Sequence, residues 1–317
     1  MPASDARSTT PARRLDLPGV LVMLVCCAFW GGNAVAVKFA TPELPPFAVA
    51  GFRFILSLPV LAVVCRWVGQ PLFAKREHWR LLFGHALIAV VQIGTFNWGA
   101  SHSAAGRSSI FINVHPLIVA PLAWSILGEK LGWRCLAGLG SAAVGVALVL
   151  SSSFGGHDHY LGGDLVVLAS GAIFAVQTIW QKLTFARIAP ATLLFHQSIV
   201  AIPIFFLYSG IFEGFATYQY TKTVLLALLY QGIAVSGFCF SIWLLLLGRY
   251  PAAQLATVAF VTPMFGVGLG RWLRQESLQP SLVVGGLLVG FGIYLTATDR
   301  AAHLGPSDVE LPGEDAP

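Results

Sequence analysis

Ten runs of about 20 mostly apolar residues follow one another along the chain, at 17–39, 45–67, 78–99, 104–126, 133–151, 162–181, 190–209, 223–246, 251–272 and 279–297. Each is long enough to cross a bilayer as a helix, which needs about 20 residues. The connections between runs are short, so no soluble domain of any size is expected. Residues 1–16 and 298–317 are polar and Pro-rich and read as disordered tails. Arg13 and Arg14 precede the first run as they would in a signal peptide, but the run continues into WGGNAVAVKFA without a small-x-small cleavage site. It reads as an uncleaved span.

The pattern repeats. Pro116, Glu129, Leu131, Gly138 and Gly145 are matched, without a gap, by Pro263, Glu276, Leu278, Gly285 and Gly292 at an offset of 147. Earlier in each half, at an offset of 144, Trp30, Asn33, Lys38, Pro46, Arg53 and Pro59 answer to Phe174, Gln177, Lys182, Pro190, Gln197 and Pro203. Runs one to five therefore repeat as runs six to ten. Because five is odd, the second copy enters the membrane from the opposite side. The expected fold is an all-α polytopic membrane protein of ten transmembrane helices in two inverted five-helix repeats, 17–151 and 162–297. Inverted repeats recur in secondary transporters, which place the substrate site at the repeat interface.

Composition sharpens the class. The chain is 56% hydrophobic and 10% charged, against roughly 25% charged in a soluble domain, so lipid is its expected solvent. Of the Lys and Arg residues near run ends, thirteen lie on the side of the termini and five on the other, which places both termini in the cytoplasm. The basic residues flank the runs and form no patch, so no nucleic-acid partner is expected. The expected partners are the bilayer and a small-molecule substrate, with a homodimer left open. The five Cys have no metal or CxxC spacing and read as buried thiols. HDHY at 157–160 lacks further ligands, and no metal or other cofactor is expected. No P-loop or catalytic motif occurs.

FWGGNAVAVKF in the first run, PPFAVAGFRF in the second and ASHSAAGRSSIFINVHPLIVAPLAWSILGEKLGW across the third to fifth resemble the EamA-type drug/metabolite transporter family. The second copy of the last motif departs from it, with RQES against GEKL. The resemblance covers residues 17–297 and implies a transporter of a small metabolite, often an exporter. A membrane-embedded enzyme or a channel is the alternative. The first is disfavoured because no Asp or Glu lies in the interior of any run, all of them falling in tails, loops or at run ends, the second by two matched halves without a selectivity filter.

Most of the repeated framework reads as scaffold. Glu129 and Glu276 fall just before runs five and ten, where the helix macrodipole favours a carboxylate, and the glycines allow close helix packing. Pro116 and Pro263 are different. Each sits mid-run, where proline kinks a helix, directly after a polar residue, His115 or Thr262. The expected substrate-binding set is Trp30, Asn33, Arg53, Asn97, Asn113, His115, Gln177, His196 and Thr262. Arg53 lies about two turns into its run, where helix anchoring and substrate contact are both open readings. Trp98 and Trp243 are further stacking candidates, and Trp124, Trp180 and Trp272 read as interfacial belt residues. His115 and His196 are the only deep groups that titrate near neutral pH, and burial would keep them neutral. Transport is therefore expected to run down the substrate's own gradient, or at most with His-dependent proton exchange.

Overall fold

The computed structural model describes residues 16–127, 132–152, 160–185, 187–214, 218–247, 258–259 and 261–297. Among them, all regular structure is helical. In hydrocarbon each backbone N–H and C=O must be satisfied within its own segment, and a helix does this for any apolar sequence. Polar caps and prolines then set where helices begin. Helix α1 (Leu17–Ala40) starts where Asp16 Oδ1 accepts from Gly19 N at 3.0 Å. Helices α2 (Pro46–Trp67) and α8 (Pro190–Tyr208) start on matched prolines, where a missing N–H costs nothing.

The other α-helices up to α8 are α3 (Trp79–Ser101), α4 (Ala105–Ile112), α5 (His115–Leu127), α6 (Trp133–Ser151) and α7 (Leu161–Phe185), with a short 3-10 turn Arg76–His78 before α3 and a five-residue wide turn Ser209–Glu213 after α8. They are followed by α9 (Lys222–Leu229), a π-helical stretch Tyr230–Cys239, α10 (Phe240–Leu247), α11 (Thr262–Arg274) and α12 (Pro280–Ala297). Among the described residues, eight helical segments are long and apolar enough to cross a membrane, the fourth counted across α4 and α5 and the eighth across α9, the π-helical stretch and α10. The tenth expected run is α12, with a shorter apolar core, Pro280–Gly292. The ninth is described only from Val258 onward, with α11 as its helix.

The fourth run is not one kinked helix. It breaks at Asn113–Val114, and Pro116 falls in the first turn of α5, where proline interrupts no hydrogen bond. Pro263 likewise lies in the first turn of α11. Both prolines begin a helix segment and do not bend one.

Helix α6 packs along α12, α3 along α7, α2 along α8 and α1 along α11, while α4 lies against both α7 and α11. The α6–α12 contact is made by the repeated glycines. A Cβ on Gly145 would sit 2.6 Å from Gly285 O, and one on Gly292 would collide with Gly138 O and lie 3.0 Å from Ala142 Cβ. Gly145→Leu or Gly285→Leu is expected to force this pair apart and lower the melting temperature of the purified protein by several degrees. Gly140→Leu, where a Cβ meets nothing within 4 Å, is the control and should shift it little.

The loops define two ends. Gln70 Oε1 accepts from Ala191 N, and Thr192 bonds Pro71 O, at the end that carries residue 16. At the opposite end Gln219 N bonds Glu43 O and Lys38 Nζ bonds Ser101 O. Trp124 and Trp272 are exposed, as a lipid-facing belt requires. Trp180 is not: its indole N–H reaches Leu81 O and its ring covers Gly84, so it packs against α3. All five cysteines are buried, and none forms a disulfide among the described residues. Glu129, Leu131 and the His–Asp–His triplet at 157–159 lie outside the described residues.

Candidate functional site

A polar cavity opens between α2, α3, α7, α8 and the π-helical stretch. Its polar wall is Arg53, Ser57, Gln92, Gln177, Gln181, Gln197, Ser198 and Ser236, and Phe54, Phe174 and Phe240 are among its apolar lining. The space among these side chains, with its opening, is about 420 Å³, yet only about 30 Å³ of it can hold the centre of a water molecule. That is room for about two waters. The cavity is a narrow slot.

Hydrogen bonds fix most of this wall. Gln92 Nε2 donates to Ser170 Oγ at 3.0 Å, and Ser170 Oγ donates to Gln92 O at 2.7 Å. Gln197 Oε1 lies 2.8 Å from His85 Nε2 and accepts from Gln177 Nε2 at 3.4 Å. Ser57 and Ser198 face each other at 3.4 Å across α2 and α8. The π-helical stretch brings Ser236 to Arg53, whose Nε donates to the Ser236 hydroxyl. That approach depends on small residues. A Cβ on Gly232 would lie 3.0 Å from Arg53 O, and one on Gly237 would lie 2.8 Å from Val60 Cβ. Wide turns of this kind recur at functional sites.

Of the residues expected from sequence, Arg53 and Gln177 line the cavity directly. Trp30 and His115 stand one ring behind it. Trp30 packs on Phe240 at 5.7 Å and Trp243 at 5.6 Å, and His115 lies 4.3 Å from Phe174, ring to ring. Asn33, Asn97 and Thr262 are buried with an oxygen unpartnered in each, and Asn113 donates to Ser109 O at 2.7 Å; none of the four lines the cavity. His196 is also elsewhere. It packs on Phe195 and on Phe73 of the loop between α2 and α3, at the end of the bundle that carries residue 16. Trp98 stacks on His102 at the opposite end.

Gln92, Gln197, Ser57, Ser198 and Ser236 were absent from the expected set. The repeat already pointed to one of them, because Gln197 is the counterpart of Arg53. Nothing in the sequence marks the serines.

Two carboxylates at helix ends bond to residues of α4. Asp164, fully buried in the first turn of α7, pairs with Arg107 of α4: Oδ2 accepts from Nε at 2.9 Å and from Nη2 at 2.5 Å. Ser103 donates to Asp164, and the guanidinium also reaches Ser152 Oγ and Val149 O, both at 2.8 Å. Glu276 does not serve α12. Its two oxygens accept from Ala105 N at 2.7 Å and Gly106 N at 3.0 Å, so it caps α4 in the other half of the chain. The reason is geometric: α12 starts four residues later, at Pro280, while the open amides of α4 lie within reach.

Comparison with known proteins places this architecture. The EamA-like transporter family matches the chain twice, over residues 17–151 and 161–298. The chain belongs to the EamA-like transporter family. Within it, this EamA-like protein is 28% identical to a probable amino-acid metabolite efflux pump of Escherichia coli (strain K12), over 87% of this chain and 93% of that one. It is 27% identical to an uncharacterized transporter of Bacillus subtilis (strain 168), over 89% and 92% of the two chains. A protein known from its crystal structure shares the fold, with a TM-score of 0.67 at 17% identity over 87% of this chain and 95% of that one. Family membership and the apolar helices identify this EamA-like chain as a multi-pass membrane protein, and the names of its relatives point to transport of small metabolites and not to enzymatic chemistry.

Proposed function

We propose that this protein is a secondary exporter of an amino acid or related small metabolite, working by alternating access between two inverted halves of five helices each. The observation that carries this reading is the position of the polar cavity. Its walls come from α2 and α3 of the first family match and from α7, α8 and the π-helical stretch of the second. A site shared by two halves is exposed to each side in turn when the halves rock against each other. The packing supports the same reading. Exchanging the halves turns the α3–α7 contact into that of α1 with the π-helical stretch, and the α1–α11 contact into that of α4 and α5 with α7; all are present.

The relatives' name as amino-acid metabolite efflux pumps supports the substrate class. In this proposal the membrane is the cell's inner or plasma membrane, with both termini in the cytoplasm. Arg53, Gln92, Gln177 and Gln197 contact the substrate, and Trp30 and His115 back the aromatic wall. No Asp, Glu or His lines the cavity among the described residues, so the substrate moves down its own gradient.

Counterflow in proteoliposomes tests this. Vesicles loaded with an equimolar amino-acid mixture should take up a trace radiolabelled member saturably, and an imposed pH gradient should drive little uphill accumulation. Flux that rises linearly with concentration would indicate a channel. Strong proton-driven accumulation would overturn the proposed coupling.

A further inference from the structure

Among the described residues two arginines are buried, and they are treated differently. Arg107 is satisfied from within the chain: it has the Asp164 carboxylate, a serine hydroxyl and a backbone carbonyl. Arg53 is as deeply buried, at 2% exposed, yet its one hydrogen bond is to the uncharged Ser236 hydroxyl, and Nη1 has no partner. It makes no ion pair among the described residues. The described acidic groups near either end are engaged elsewhere: Asp164 with Arg107, Glu276 with the α4 amides, Glu43 with Thr221, Glu213 with Phe47 N, Asp16 with Gly19 N and Glu77 with Lys75 and His78.

A guanidinium keeps its charge under all ordinary conditions. An uncompensated charge held out of water costs several kcal/mol, and the usual remedies are a partner or a path to the interface. Burial closes the second route to Arg53. The first remains, since Arg53 lines the cavity. Also on that wall, Gln177 Oε1 is buried without a donor.

We propose that Arg53 is the carboxylate subsite of the transporter, so that the substrate enters as a group bearing one negative charge, with a hydrogen-bond donor of the same molecule meeting Gln177 Oε1. This deepens the transport reading and rests on the same cavity. One cation among amides and hydroxyls balances a monoanion. A doubly charged phosphate would be left half-neutralised, and an organic cation would be repelled. Arginine matches a carboxylate with parallel N–H groups, which adds direction to the charge.

The test is thermal stability of the purified full-length protein in detergent at constant ionic strength. The probes are acetate, L-lactate, benzoate and L-phenylalanine, each set against its own amide, with chloride and phosphate as further arms. At about 20 mM, at least one carboxylate is expected to raise the melting temperature by about 2–4 °C, and its amide by less than about 1 °C. Arg53→Gln should abolish the difference and Arg53→Lys should keep part of it.

Ser236→Asp keeps the test decisive if Arg53→Gln does not fold. An internal carboxylate beside Arg53 should raise the melting temperature without ligand and remove the response to carboxylates. The proposal is overturned if no carboxylate stabilises, if amides, chloride or phosphate do so equally, or if the carboxylate response survives in Arg53→Gln or Ser236→Asp. Binding is read here without flux. A carboxylate response in a protein that shows no counterflow would therefore fault the transport reading alone.

Discussion

Asp164→Ala is expected to destabilise the protein by about 3–5 kcal/mol, because it leaves the Arg107 guanidinium buried without its counter-charge. For a chain of this size that corresponds to a fall of about 5–8 °C in melting temperature. The loss should be larger than for any single neutral hydrogen bond, each of which contributes about 1 kcal/mol. Asp164→Asn, which keeps an acceptor but removes the charge, should fall between. The double replacement Arg107→Met with Asp164→Leu should recover part of the loss, since no charge then remains to be compensated. A shift below about 2 °C for Asp164→Ala would mean that the other partners of Arg107, Ser152 and Val149 O among them, satisfy it without the carboxylate.

Gln177→Leu is expected to lower counterflow more than tenfold while moving the melting temperature by less than about 2 °C. Its hydrogen bond to Gln197 is long, at 3.4 Å, so little stability is lost with it. What the cavity loses is an acceptor and a donor at its wall. A factor of ten is about 1.4 kcal/mol of transition-state stabilisation, within reach of one polar contact in a site of low dielectric. His196→Phe is the comparison, and should leave flux within about twofold, because this ring meets Phe73 and Phe195 away from the cavity. If His196→Phe abolishes flux and Gln177→Leu does not, the cavity is not the transport site.

Much of the architecture was legible because a bilayer leaves few choices. Once a run of about 20 apolar residues is found, helix is the only local answer, and eight such helical segments stand where the runs predicted them. The glycines of the repeat were legible as packing positions, and Gly145 and Gly285 do touch. Proline was harder to read. Pro116 looks like a mid-helix kink only if the helix is assumed continuous; its missing N–H and its ring instead end α4 four residues earlier, at Ile112, and the chain breaks at Asn113–Val114.

The site was half legible for a related reason. Polar residues inside apolar runs are visible in the sequence, but which of them converge depends on helix rotation. Gln177 and Arg53 turn toward the slot, whereas Asn113 bonds Ser109 O on its own helix. The partner of a charge is equally invisible. Arg107 and Asp164 are 57 residues apart, and nothing in their local sequences says that one pays the other's desolvation.

The cavity wall is built largely of primary amides and hydroxyls, and this bears on how preference for a cargo could change. A glutamine exchanges donor for acceptor by a half-turn of its last torsion, and a serine hydroxyl rotates freely. Gln92 and Gln197 are held by Ser170 and His85, but Gln181, and Gln177 with its long bond to Gln197, can present different faces to different molecules. Such a lining sets a class by the fixed charge of Arg53 and leaves the member within that class adjustable. Selection for a new cargo would then work first on Gln177 and Gln181, where a change costs the fold little.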